Sequence, residues 1–399
     1  MEGAQMEDFR IEDCENDNNT HEDSQMEESE QNNKHMEVAP AVISVHPTRN
    51  SVAVAVGSDL RVFNLLEDCA VILVDEAGGA SHNDSIRGIK YGANGKLFVS
   101  AGDDKLVKVW STESWRCIAT VCSEKRVSAV AISNDGLHVC FADKFGVVWV
   151  VDLPGVDETQ APLNKKAVPL LAHYCSIITS LEFSPDGHFI VSADRDFKIR
   201  VTVFPKKPLD GAHEVQSFCL GHTEFVSCLA FICTPDSPQG SLVSGGGDST
   251  VRMWDIISGS LLDTCAVGAK VVSIIGENFV PTSLGSSISG GLLWMVTGAS
   301  KLRGSDVSSL SRVKVISGFE KSSPDASEQE PAVLVDSEIP GGAKLLEKLQ
   351  GSISVDEKVF LAAADAVKTA MCNLLIKKQY SDEKREFRKR TRNDRKSKQ

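Results

Sequence analysis

The chain has no apolar run able to cross a bilayer: its longest, residues 359–376, is interrupted by Asp365 and Lys368. The first 37 residues lack the basic-then-apolar layout of a secretory leader; acidic and polar throughout, they read as a disordered leader. There is no Cys-x-x-Cys pair among eleven cysteines, an odd number whose closest pairs, Cys117 with Cys122 and Cys228 with Cys233, fall in or beside expected strands. That pattern disfavours a zinc site or a disulfide framework and fits buried, reduced thiols of an intracellular protein. Nucleotide fingerprints are missing too. Gly245-Gly246-Gly247 is neither G-x-G-x-x-G nor a Walker loop, and it falls in an expected strand-to-strand turn rather than ahead of a helix. No segment supplies a strand, a glycine-rich loop, a helix and a later acid together, so the chain is expected to hold no cofactor and to be no enzyme.

Charge is not evenly spread, and the two ends carry opposite signs. Residues 1–37 carry thirteen Asp or Glu against Arg10 and Lys34, and residues 377–399 carry eleven Lys or Arg against four acids, within a formal net charge of −13. Neither end has the large apolar residues needed to fold alone. The basic end, with Lys384, Arg385, Arg388, Lys389, Arg390 and Arg392, suits nuclear import or attraction to nucleic-acid phosphates.

What the middle does contain is a repeat. Residues 220–256 read Leu-Gly-His-Thr-Glu-Phe-Val-Ser-Cys-Leu-Ala-Phe, a turn with Pro235, Asp236 and Pro238, then Ser-Leu-Val-Ser-Gly-Gly-Gly-Asp-Ser-Thr-Val-Arg-Met-Trp-Asp-Ile. A Gly-His start, two short apolar runs, a Gly-Asp turn and a closing Trp-Asp make one four-stranded propeller blade. In it His222, Ser244, Asp248 and Trp254 stand where a hydrogen-bond relay satisfies a buried imidazole. One blade cannot bury both faces of its sheet, so copies are required. His82, Ser100, Asp104 and Trp110 form a second set, with the acid four after the serine and the tryptophan six after the acid. A third has His173 and Ser192, with Asp196 at the four-residue spacing and Thr202 in the tryptophan position. A catalytic triad does not come in three copies, so these residues are structural.

Weaker copies lie on either side. Residues 41–64 give a first blade with Phe63 in the tryptophan place, and residues from about 116 to 151 give another, with Trp149 six after Asp143. Residues 154–169 read as a surface loop between blades. After Gly259 the pattern degrades: 271–275, 292–296 and 313–316 are strand candidates for a sixth blade and 332–335 for a seventh. Residues 354–378 suit a helix better than a last strand. The expected fold is therefore an all-β, seven-bladed WD-repeat β-propeller over 38–353. The leader, 1–37, precedes it, and 354–399 add a helix or last strand and a basic tail.

Ser-Ala-Asp-Arg-Asp-Phe-Lys-Ile-Arg-Val at 192–201, followed by Ser-Phe-Cys-Leu-Gly-His-Thr-Glu-Phe-Val-Ser at 217–227, resembles the WD-repeat, non-catalytic subunit of the tRNA (guanine-N7-)-methyltransferase. The resemblance implies a heterodimer; with the basic tail, the nucleus is the expected location, and the cytoplasm stays open. A separate Rossmann-like subunit would bind S-adenosylmethionine and methylate N7 of a guanine in the tRNA variable loop, while the propeller holds it in an active form. It also implies that Arg200, with Lys198 and Arg195, faces acidic residues of that partner and that Asp196 orients the local turn. The family position before Lys198 is commonly acidic and is Phe197 here. Two other readings make different demands. A nucleic-acid-binding module acting alone would bind tRNA tightly without a partner, and a generic WD adaptor in chromatin, RNA-processing or ubiquitin-ligase complexes would leave tRNA N7-methylguanine unchanged when lost.

Overall fold

The structure, a computed structural model, describes residues 38–350 apart from connecting stretches, the longest being 154–162, 267–281, 301–308 and 318–331, together with Ala362, Ala366 and Thr369. The strands among the described residues form six sheets, antiparallel except for one two-residue parallel pairing. Sheet 1 holds β1 (Val42–Val45), β2 (Ser51–Val56), β3 (Asp59–Asn64) and β4 (Cys69–Ala70). Sheet 2 holds β5 (Ile86–Gly92), β6 (Leu97–Gly102), β7 (Leu106–Ser111) and β8 (Cys117–Cys122). Sheet 3 is β9 (Val127–Ile132), β10 (His138–Asp143), β11 (Val147–Asp152) and β13 (Val168–Ala172), with β12 (Leu163–Asn164) leaving it to pair with β8. Sheet 4 is β14 (Ile178–Phe183), β15 (Phe189–Asp194), β16 (Lys198–Val203) and β17 (Val215–Leu220). Sheet 5 is β18 (Val226–Thr234), β19 (Ser237–Gly246), β20 (Thr250–Trp254) and β21 (Leu261–Ala266). Sheet 6 is β22 (Ser283–Ser286), β23 (Leu293–Ser300), β24 (Ser309–Ser317) and β25 (Ala332–Val333).

The first strands of the sheets are neighbours in the order β18, β14, β9, β5, β1, β22, which is the inner wall of a WD40 propeller. Each sheet is covered on both faces, so its middle strands read as continuous apolar runs instead of alternating ones. β2, Ser-Val-Ala-Val-Ala-Val, is buried at every position. The core is accordingly divided among the gaps between sheets: Val99, Val107 and Val109 of sheet 2 pack with Val130, Val139 and Phe141 of sheet 3.

The structure corrects four expectations. Among the described residues there are six sheets, not seven: Ala332–Val333 is the last strand of sheet 6, shared with residues 293–300 and 309–317. Residues 271–275 lie outside the described ones. Cys117–Cys122 closes sheet 2 instead of opening sheet 3, because a blade's outer strand comes after its tryptophan. The insertion at 154–169 is internal to sheet 3, and its β12 runs parallel to β8, covering an edge that would otherwise be open.

The fourth correction is a helix, α1 (Gly342–Gln350), inside the span assigned to strands. Its Leu345, Leu346 and Leu349 pack with Val54 and Phe63 of sheet 1 and Trp294 and Val313 of sheet 6. Arg61 of β3 and Ser311 of β24 both donate to the Leu349 carbonyl, at 3.0 and 3.1 Å, satisfying an orphan acceptor of the helix end. The Gln350 side chain accepts from the Val313 amide at 3.0 Å. Thus α1 ties the first sheet to the last. Farther on, Ala362, Ala366 and Thr369 are helical.

Candidate functional site

The relays set the turns, and the turns set the surface. In sheet 2 the Trp110 indole donates to Ser100 Oγ at 3.0 Å, Ser100 donates to His82 Nε2 at 2.8 Å, and His82 Nδ1–H donates to Asp104 at 2.8 Å. Sheet 5 repeats this with Trp254, Ser244, His222 and Asp248 at 2.7, 2.7 and 2.9 Å. Burial works to raise the Asp248 carboxyl, but bonds from Thr250, the Thr223 amide and His222 together hold it down at about 2. Burial lowers the pKa of His222, only partly offset by Asp248, which suits a neutral imidazole that donates at one nitrogen and accepts at the other.

Sheet 4 is built differently from the expected spacing. The acid on His173 is Asp194, at 2.9 Å, with Ser192 on the other nitrogen at 2.7 Å; Asp196 stands outside the relay. Asp194 is two residues after the serine, on the buried end of β15, and its second oxygen accepts the amides of Asp196 and Lys198 at 2.8 and 3.2 Å. Burial opposes ionisation of Asp194, yet the His173 bond and those two amides outweigh it and lower its pKa. Sheet 3 has the same acid, Asp143, holding the Phe145 and Val147 amides at 2.8 and 3.2 Å. Among the described residues no histidine joins it; Trp149 donates to it directly at 2.9 Å. Thr202 fills the tryptophan position of sheet 4, buried, with no hydrogen bond for its hydroxyl.

Asp194 therefore fixes the 195–197 turn from below. Arg195 lies 3.7 Å from the Asp196 carboxylate at the tip, and Phe197, with φ +68°, is turned outward and 41% exposed. On β16, Lys198 and Arg200 share a face because side chains alternate with period two, while Ile199 between them is buried. Lys198 is opposite Leu220 and Arg200 opposite Phe218 on β17. Lys198 is exposed, as are Leu220 at 61% and Phe218 at 45%. Arg200 is not a free surface cation. Its Nη1 donates to the Ala172 carbonyl at 3.0 Å, its guanidinium lies 5.8 Å from the Phe218 ring centre, and burial lowers its pKa against the nearby Asp194 charge. The four residues thus do come together on one edge of sheet 4, with Lys198 outermost and Arg200 a packed support.

Sequence reasoning missed Asp194 and the exposed apolar partners Phe218 and Leu220. The alternation Gln216-Ser217-Phe218-Cys219-Leu220 could have shown the last two, since Cys219 is the buried member. The basic tail lies outside the described residues. Six cysteines are described, all free. Cys117, Cys140 and Cys219 are buried as expected, Cys228 is half-buried, and Cys69 and Cys122 are exposed, contrary to expectation. Burial pushes the Cys219 thiol up to about 12, which suits packing and not reactivity. Among the described residues no group of three His, Cys, Asp or Glu could hold a metal, and no helix is long and apolar enough to cross a membrane.

Comparison with known proteins gives two family matches and a set of relatives, and one of the family matches includes sheet 4. Residues 157–338 match the family model described as tRNA methyltransferase TRM82 WD40 domain, and residues 79–111 match the WD domain, G-beta repeat. Relatives that carry the name tRNA (guanine-N(7)-)-methyltransferase non-catalytic subunit include the following three. The Dictyostelium discoideum protein is 28% identical over 251 residues, covering 59% of this chain and 50% of its own length. The Danio rerio protein is 34% identical over 188 residues, covering 47% and 42%. The Homo sapiens protein is 33% identical over 195 residues, covering 48% and 42%. The chain spans about half the length of the curated relatives it matches. The resemblance read from residues 192–201 and 217–227 is borne out.

Proposed function

We propose that this chain is a non-catalytic propeller subunit that docks the catalytic subunit of a tRNA (guanine-N7-)-methyltransferase on the β16–β17 edge of sheet 4. The observation that carries the reading is the pairing of cations with exposed apolar side chains, Lys198 with Leu220 and Arg200 with Phe218, inside the stretch that matches the family model. Aromatic and arginine anchors give an interface its energy, while a rim cation such as Lys198 fixes partner and register. In this reading S-adenosylmethionine and the guanine sit on the partner, the complex works in the nucleus, and the basic tail from Lys384 to Arg392 retains tRNA by its phosphates.

The test is reconstitution. The purified chain alone is expected to transfer no methyl group and to bind tRNA weakly. Mixed with the catalytic subunit, it is expected to raise N7-methylguanine formation at least tenfold over that subunit alone. Methyl transfer by the chain alone would make it an enzyme. No effect on the catalytic subunit, with tRNA methylation normal in cells lacking the chain, would leave the adaptor reading instead.

A further inference from the structure

At the end of the propeller opposite the 195–197 turn, the β1–β2, β3–β4, β5–β6, β7–β8 and β9–β10 turns of sheets 1, 2 and 3 surround a half-open cleft of about 620 Å³. We propose that this cleft binds a short peptide segment of another protein, neutral overall and inserting one apolar side chain. The proposal is independent of the docking edge on sheet 4.

The volume falls within the roughly 300–1,000 Å³ of small-ligand sites. Its floor is rigid. His46 and Trp115 are buried, and Tyr91 stands edge-on to both at 5.3 and 6.3 Å between ring centres. The Thr48 amide donates to His46 Nδ1 at 3.2 Å, so the Nε2–H donates to the Gly95 carbonyl at 3.0 Å and the imidazole is locked. One lining residue is held in a strained backbone conformation: Trp115 has φ +55°. Such conformations cost energy and collect at ligand clamps and functional turns.

The ligand class follows from the walls. Lys96 and Glu113 put one cation and one anion on the lining, so the site has no net charge to hold a phosphate. Asn50 and Asn64 line the same space; Asn64 Oδ1 already accepts the Leu66 and Glu67 amides, which leaves its NH2 as donor, and the Asn50 amide offers both donor and acceptor, as a peptide backbone does. Leu97, Ile118 and Leu153 supply apolar wall. Leu66 on the rim is 73% exposed, and Leu137, in the Gly136 turn, is 46% exposed. A mixed apolar and amide lining with balanced charge fits a peptide better than a nucleotide.

The experiment uses the full chain labelled with 5-fluorotryptophan, whose five tryptophans each give one signal; Trp115 is assigned through Trp115→Phe. Titration with N-acetyl-leucine N-methylamide is expected to shift the Trp115 signal saturably, with a Kd on the order of millimolar for so small a ligand. The Trp254 signal, in sheet 5, is expected to stay still, and adenosine monophosphate is expected to shift neither. Leu66→Glu, at an exposed rim position that does not enter the core, is expected to weaken binding about fivefold. The proposal is overturned if Trp115 shows no saturable shift up to tens of millimolar, if Trp254 moves in step with it, or if the nucleotide binds as well as the amide.

Discussion

Sheets 2 and 5 reach a buried histidine from four residues beyond the serine; sheet 4 reaches it from two. In the first arrangement the residue at the second place is glycine, Gly102 or Gly246, and there is no room for anything larger. A Cβ on Gly102 would lie 2.2 Å from the Ser85 carbonyl oxygen, and one on Gly246 would lie 2.6 Å from His222 Nδ1. In the second arrangement the aspartate occupies that place itself and becomes the carboxylate the histidine needs. Either way an imidazole, a hydroxyl and a carboxylate are satisfied together in a buried site. The difference lies in what is left over: Asp194 also holds two turn amides, so the turn beneath Lys198 is pinned by the relay and Asp196 remains at the surface.

The largest effect should come from Asp194→Ala, which leaves His173 and two amides short of a partner. It is expected to cost about 3 kcal/mol in urea unfolding of the full chain, against less than about 0.5 kcal/mol for Asp196→Ala. The reverse order would mean that spacing, not the observed geometry, identifies the relay acid. Gly102→Ala should follow at about 2 kcal/mol, because the atom in its way is backbone.

Acidification separates the two kinds of group. The lowered pKa values of His222 and His46 mean that the unfolded chain gains protons below about 6.5 while the folded chain resists, so stability declines as pH falls below that value. The lowered values of Asp104, Asp194 and Asp248 contribute stability above the ordinary carboxylate range, which is lost as pH falls toward about 2. Unfolding measured from pH 7 to 3 should show both steps, and His222→Gln should flatten the upper one. The smallest effect belongs to Thr202→Val. Its buried hydroxyl has no partner, so the change should be neutral or stabilising by up to about 1 kcal/mol.

Much of this was legible beforehand, because hydrogen-bonding side chains at fixed places in short strands mark a blade whatever its surroundings. His82, His173 and His222 all lie in relays, and β1 to β3 fall close to their expected bounds. What spacing could not carry was the choice between two aspartates both able to cap the same turn, since Asp194 and Asp196 differ by burial alone. Helix α1 was hidden for a related reason. Its Leu-Leu-Glu-Lys-Leu is too short for periodicity to decide, and tertiary packing against sheets 1 and 6 fixes it. Arg200 read as a surface cation because the Ala172 carbonyl and the Phe218 ring that hold it come from distant positions in the chain.

That last point selects the decisive test of the docking edge. Arg200→Glu would set a carboxylate beside Asp194 and mix folding with binding, so the exposed Lys198 is the residue to reverse. Affinity of the catalytic subunit for the wild-type chain and for Lys198→Glu should be measured by calorimetry, with urea unfolding of each as control. A loss of about tenfold or more with unchanged unfolding is the expected result. Equal affinity for the two chains would contradict the assignment of this edge.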